Sequence, residues 1–237
     1  KMVVQLAYTG SHAFSVTGDG YEPHGEFKID NQNTQPEQYQ ELQILLLACA
    51  ICNDAFLQQE QEKWSILGDP TEGALLSLAG KAGIYKDRWS QKIPRVAEFP
   101  FSSERKRMSV ICELKIEPEE LKRLGSSSIL NSSLVMFTKG SPELTLERCS
   151  HILIGDSIKP ITGDQRNTIL QQNNQLASRG LRVLGFAYKR LETVPPENSD
   201  DRSERELIWL GLVSMLDAPR PEVREAVAKS RLAGIRP

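Results

Sequence analysis

Apolar and polar residues alternate from Val3 to Tyr8 and from His12 to Thr17, the two-residue period of strands. A polar Gly-, Asn- and Gln-rich stretch, Gly18 to Gln35, then predicts a loop. At Pro36 the period changes. Tyr39, Leu42, Leu45, Leu46 and Cys49 recur at helical spacing and predict a helix running to about Asp54. A second helix follows Gly68: Asp69 suits the N-cap, Pro70 the first helical position and Glu72 the third, and Gly83 ends it. Positions 93–101, 107–114 and 134–139 read as strands, with the Ser-rich 125–133 as a flexible connection. Ser141-Pro142-Glu143 starts a short helix, and a strand follows near 151–154. Thr162 to Arg179 predicts a polar-faced helix stopped by Gly180, and Leu181 to Lys189 a buried strand. Pro195 to Ser203 reads as a charged loop, Leu207 to Leu216 as an apolar strand, and Pro221 to Ala233 as a helix stopped by Gly234. Strands in succession, with too few helical crossovers for a purely parallel sheet, define an α+β class: a mostly antiparallel β-sheet flanked by helices.

Composition narrows the function classes. The 237 residues are 39% hydrophobic and 25% charged, enough to bury a substantial core, which excludes disorder of the whole chain. Lys and Arg number 29 against 31 Asp and Glu. Without a basic excess, a dedicated nucleic-acid or anionic-membrane binder is disfavoured. The longest apolar run, Ile44 to Ile51, is far short of the ~20 residues that span a bilayer, and the first residues lack the pattern of a signal peptide, so a soluble chain is expected. Cysteines at 49, 52, 112 and 149 are too few for a disulfide framework and fit a reducing compartment. Cys49 and Cys52 form a C-x-x-C pair inside an apolar run, which favours packing as small hydrophobes over metal or redox use, and no second pair stands at zinc spacing. Neither a G-x-x-x-x-G-K-[ST] loop nor a G-x-G-x-x-G fingerprint is present, so any nucleotide site must be built another way.

Several short segments stand out by their order: GDPTEGA at 68–74, FPFSSERKRMSV at 99–110, KGSPE at 139–143, GLRVLGFA at 180–187 and DAPRPE at 217–222. This series resembles the nucleotide-binding region of P-type cation-transporting ATPases, most closely the type II group that includes calcium pumps, and the resemblance covers nearly the whole chain. The family's phosphorylated aspartate, in D-K-T-G-T, is absent here; Lys1-Met2 resembles residues that follow it, and AGIR at 233–236 resembles the stretch before the family's T-G-D motif. Thr162-Gly163-Asp164 lies upstream of Asp217 and reads as a helix cap instead. The resemblance implies a nucleotide-binding domain over 1–216, and over 217–237 a hinge with the start of the phosphorylation domain. It further implies a cytoplasmic domain of an integral membrane protein that takes ATP as Mg-ATP, holds no tightly bound metal of its own, and works with the phosphorylation and actuator domains of a parent pump. The chain would bind ATP without turning it over and would not itself insert into a membrane. A non-catalytic interaction module on the same scaffold that has lost nucleotide binding is the alternative. A self-sufficient hydrolase is disfavoured, since His12, His24 and His151 sit in no recognisable triad or metal context.

The residues themselves allow two readings at each site. Phe101 can stack on adenine or fill the core; the resemblance favours stacking, and leaves Phe99 to the core. Lys106 lies in a basic turn that is either solvated or aimed at the nucleotide, and the resemblance favours the second. Lys139 ends an apolar strand before Gly140, which allows close approach of a ligand; the resemblance places that lysine deep in the adenine pocket, the other reading being a strand-end lysine in water. Glu72 either accepts a hydrogen bond from the adenine amino group, as the resemblance implies, or completes a capping box with Asp69. Arg182 opens an apolar strand and needs an anionic partner, near the phosphates by resemblance, and Leu184 on the same face would touch the base edge. Two departures from the family pattern are Ser103, where an arginine is common, and Ala218, where a proline is usual.

Overall fold

A computed structural model describes residues 1–61, 63–117, 130, 132–197, 199–217 and 229–231. Its main sheet takes the strand order β4-β3-β2-β1-β13-β12-β9-β8-β7. These are β1 (Met2–Tyr8), β2 (Ala13–Val16), β3 (Phe27–Ile29), β4 (Gln32–Thr34), β7 (Arg95–Ser102), β8 (Arg107–Glu113), β9 (Leu134–Gly140), β12 (Arg182–Leu191) and β13 (Leu207–Asp217). Neighbours along this path are antiparallel. The outer strands β10 (Cys149–Ile154) and β11 (Ser157–Pro160) join through a parallel pairing of β10 with β13. A separate hairpin pairs β5 (Phe56–Glu60) with β6 (Lys63–Leu67). The chain enters on β1 and the described sheet closes on β13 beside it, Met2 opposite Asp217.

Two apolar layers sandwich the central strands. Val110, Cys112, Val135, Phe137, Phe186 and Tyr188 face α1 (Gln40–Ile51) and α2 (Pro70–Lys81). Ile111, Met136, Ala187 and Trp209 turn the other way, into a second core with Leu146 of α4 (Pro142–Glu147) and Ile169 of α5 (Gly163–Ser178). Because both faces are covered, β8 and β9 are buried along nearly their whole length and read as continuous rather than alternating apolar runs. The same logic explains α1, buried from Glu41 to Ile51.

The predicted polar loop at 18–35 contains the β3–β4 hairpin, turned by Asp30 and Asn31 at φ 50° and 65°. Two successive positive-φ residues form the primed turn that suits strand twist, and Asx side chains tolerate it. The helix expected from Pro36 begins as a 3-10 turn, Pro36–Gln38; extended Tyr39 separates it from α1, which stops at Ile51. Thr162 accepts from Gln165 N and Gln165 Oε1 accepts from Thr162 N, a complete capping box, so the T-G-D triplet starts α5 as expected. The hairpin β5–β6, strand β11, α3 (Lys86–Lys92) and α6 (Asp200–Ser203), which sits inside the predicted charged loop, carry no periodicity long enough to read. Of the predicted helix from Pro221 to Ala233 only residues 229–231 are described, and they are helical; the hinge residues 218–220 and most of the Ser-rich 125–133 lie outside the described residues.

Candidate functional site

A cavity of about 390 Å³ opens where β7, β8, β9 and β12 end together. Phe101, Ser103, Lys106, Met108, Lys139, Gly140, Ser141 and Leu184 line it. Five of the seven sequence-predicted residues therefore meet at one place. Glu72 and Arg182 are not in its lining; both reach the region from α2 and β12.

Phe101 owes its position to a break in the β7–β8 ladder. Phe99 pairs with Ser109 and Ser102 with Arg107, so Pro100 and Phe101 together oppose Met108. Two residues against one is a bulge, which re-aims a side chain, and Pro100 has no N–H to lose from the ladder. Phe99 is 6% exposed in the second core, whereas Phe101 is 62% exposed, so the core reading of Phe101 does not hold. Lys106 follows in a left-handed turn, φ 49°. Its N–H donates to Ser102 O (2.8 Å) and its carbonyl accepts from Ser141 N (2.9 Å), joining the β7–β8 turn to the loop after β9. The Lys106 side chain is exposed at the cavity.

Gly140 pairs with Arg107 on one side and Gly185 on the other. A Cβ there would lie 2.4 Å from Lys106 O and from Arg107 Cβ. The missing side chain thus makes room for the protein's own backbone, where the sequence suggested room for a ligand.

Lys139 is 6% exposed, which excludes a strand-end lysine in water. Its Nζ donates to Cys52 O (2.6 Å) and to Glu72 Oε1. Glu72 Oε2 accepts from Asp54 N and Ala55 N, each at 3.0 Å. Asp69 caps α2 through Thr71 N and Glu72 N, as predicted, but the Glu72 carboxylate turns to Lys139 and the Asp54–Ala55 backbone rather than closing the reciprocal half of a capping box. Arg182 is exposed and donates to Thr71 Oγ1 (2.6 Å), a hydroxyl and not the anion its chemistry suggested. Leu184, two residues on, reaches the cavity.

The surrounding charges are ordered. Burial tends to raise the Glu143 carboxyl, but its own backbone N–H, the Ser141 hydroxyl, the Asn173 amide and the Lys106 charge outweigh this and hold it below the usual range. Burial pushes the Cys52 thiol up to about 11 and Cys112 to about 12; with Cys49 they are unpaired core residues. No group of three His, Cys, Asp or Glu stands at metal-ligand distance among the described residues.

Sequence reasoning missed Ser141 and Met108 as lining residues. Both lie in the quoted segments, and Met108 is the direct cross-strand partner of Lys139, a relation visible only once register is known. It also left Arg105 and Arg107 unassigned. Both guanidiniums bind the fully buried Glu204, which no motif marked.

The sequence model for "P-type ATPase, cytoplasmic domain N" matches residues 41–222. The chain belongs to this family, and what it comprises is a cytoplasmic domain of the integral membrane pumps that define it. Among curated relatives it is 33% identical over 236 residues to the "Calcium-transporting ATPase" of Bacillus subtilis (strain 168), covering 100% of this chain and 25% of that protein. To "Cation-transporting ATPase pma1" of Synechocystis sp. it is 34% identical over 246 residues, covering 99% and 24%. It is also 34% identical to "Calcium-transporting ATPase 1" of Lactococcus lactis over 218 residues, covering 92% and 22%. The chain thus spans about a quarter of the length of these relatives. Among the described residues no helix is long and apolar enough to cross a membrane.

Proposed function

We propose that this domain binds ATP in the cavity between Phe101 and Lys139 and presents its γ-phosphate to an aspartate on an adjacent phosphorylation domain of a cation-transporting pump. The observation that carries the reading is an aromatic ring 62% exposed over a 390 Å³ cavity whose inner wall holds a buried ammonium. An exposed aromatic face stacks on a base for about 1–3 kcal/mol. Lys139, oriented by Cys52 O and Glu72, would hold the polar edge of the base, and Leu184 would pack on its rim. Lys106 and Arg182 are the cations left for the phosphates, Arg182 by exchanging the Thr71 hydroxyl for a stronger anionic acceptor. Ser103 adds a hydroxyl in place of a further cation.

With no phosphate-cradling loop, affinity of order 0.1–1 mM is expected. Magnesium would arrive on the nucleotide, since the lining offers no carboxylate to hold it. Residues 1–216 would form the nucleotide-binding unit and 217–237 the hinge and first part of the phosphorylation domain. Calcium is the transported ion most in keeping with two of the relatives named above. Titrating the whole chain with ATP while following amide shifts tests the reading. Saturable binding weakened by Phe101→Ala and by Lys139→Ala is expected, and an unchanged spectrum of the parent chain would refute it.

A further inference from the structure

Glu204 lies in none of the motifs and is not in the lining of the cavity described above, yet it is completely buried. Arg105 Nη1 lies 2.8 Å from both its carboxylate oxygens, Arg107 Nε donates to Oε2 at 2.6 Å, and Ser109 Oγ donates to Oε1 at 2.6 Å. Asp200, one turn earlier, meets Arg105 Nε at 3.1 Å. Two guanidiniums thus face two carboxylates, and the charges balance. The other end of Arg105 reaches the cavity lip: Nη2 donates to the carbonyl of Pro100, inside the bulge that projects Phe101, and its backbone N–H donates to Ser102 Oγ. Arg107 Nη1 donates in turn to Arg105 O (3.2 Å), behind the left-handed turn at Lys106.

A bulge leaves a ladder carbonyl without its strand partner, and something must satisfy it. Here a single guanidinium does so, and its direction is fixed by an acid from a distant segment. We infer that Glu204 is a positioning residue for the nucleotide site: through Arg105 it holds the Pro100–Phe101 bulge and the Lys106 turn in the shape that presents the stacking ring. This rests on the ATP-binding reading above. Glu204 would never touch nucleotide.

The whole chain with Glu204→Gln tests this, with Arg105→Lys as a second variant that keeps the charge but loses the forked geometry. ATP and adenosine are titrated against each, and the amide shifts of Phe99 to Lys106 are recorded without ligand. If Glu204 acts through the bulge, both variants weaken adenosine and ATP by a similar factor, on the order of tenfold, as expected for loss of a charge-assisted contact. The free-state shifts of the bulge move with them, and Glu204→Gln combined with Arg105→Lys loses little more than either alone. If Glu204 acted only through its charge, Glu204→Gln would strengthen ATP and leave adenosine unchanged. That result, or unchanged affinity with unmoved bulge shifts in either folded variant, overturns the inference. Should the parent chain fail to bind ATP, the nucleotide reading falls, and the free-state shifts alone decide whether Glu204 shapes the bulge.

Discussion

The two walls of the cavity are built by opposite means. On the inner wall Lys139 pairs with Glu72, which stands behind the lining in the first turn of α2; their side chains are 8% and 14% exposed, and Cys52 O, Asp54 N and Ala55 N tie them to the segment that follows α1. On the outer wall Phe101 projects from a bulge with its ring in water, and the restraint lies behind it, in Arg105 and Glu204. If ATP binds here as proposed, the inner wall would couple recognition to stability, because its polar groups are the protein's own internal contacts. The outer wall would separate the two, since a ring 62% exposed buries little surface on folding.

Removing one partner on the inner wall should cost most. Glu72→Ala removes the only carboxylate on the buried Lys139 ammonium among the described residues, leaving it the Cys52 carbonyl, and takes an acceptor from Asp54 N and from Ala55 N, which keeps Asn53 Oδ1; about 3–5 kcal/mol is expected from denaturant unfolding. Lys139→Ala should likewise lower stability and, with it, ATP affinity. At the joint between the walls, Gly140→Ala places a Cβ 2.4 Å from backbone and should cost about 1–3 kcal/mol, measured the same way. The outer wall provides the contrast. Phe101→Ala should shift unfolding by less than about 0.5 kcal/mol while weakening ATP by about 1–3 kcal/mol; a large stability loss there would erase the distinction between walls.

The smallest effect is expected from acid, behind the outer wall. Hydrogen bonds from Arg205 and then Arg148 hold the Asp201 carboxyl at about 2. A depressed folded-state value means that its contribution is complete above the ordinary carboxylate pKa, about 3.9, and is lost as pH falls through about 2. Asp201 is on the surface, so the gain is small and salt-sensitive. Asp201→Asn should flatten stability between pH 4 and 2 at low salt and change nothing at pH 7 beyond loss of the pair.

Sequence pattern predicted the long elements well where burial is continuous or one-sided: α1, α2, α5 and strands β8, β9, β12 and β13 are all legible from their periods and caps. The elements it missed are short or polar. Gln32–Thr34 carries no apolar alternation, and Ser157–Pro160 pairs only at an outer edge. At the site, order of motifs placed Phe101, Lys106, Lys139, Gly140 and Leu184 around one cavity. Pattern could not say what Lys139 or Glu72 would bond to, since their partners lie 87 and 18 residues away in sequence. Glu204 was invisible for a similar reason: a lone acid in a charged stretch reads as solvated until two arginines 97 and 99 residues upstream fold onto it.

The pairing of β1 with β13 has a mechanical meaning. Met2 and Asp217 face each other at the same end of an antiparallel ladder. A pull that draws those two residues apart loads one rung of the ladder at a time and peels it, whereas a pull along the strands would load all rungs together in shear. Bending both strands as a pair leaves every rung intact. The ladder therefore yields most readily to separation at this end and resists most strongly a pull along its strands.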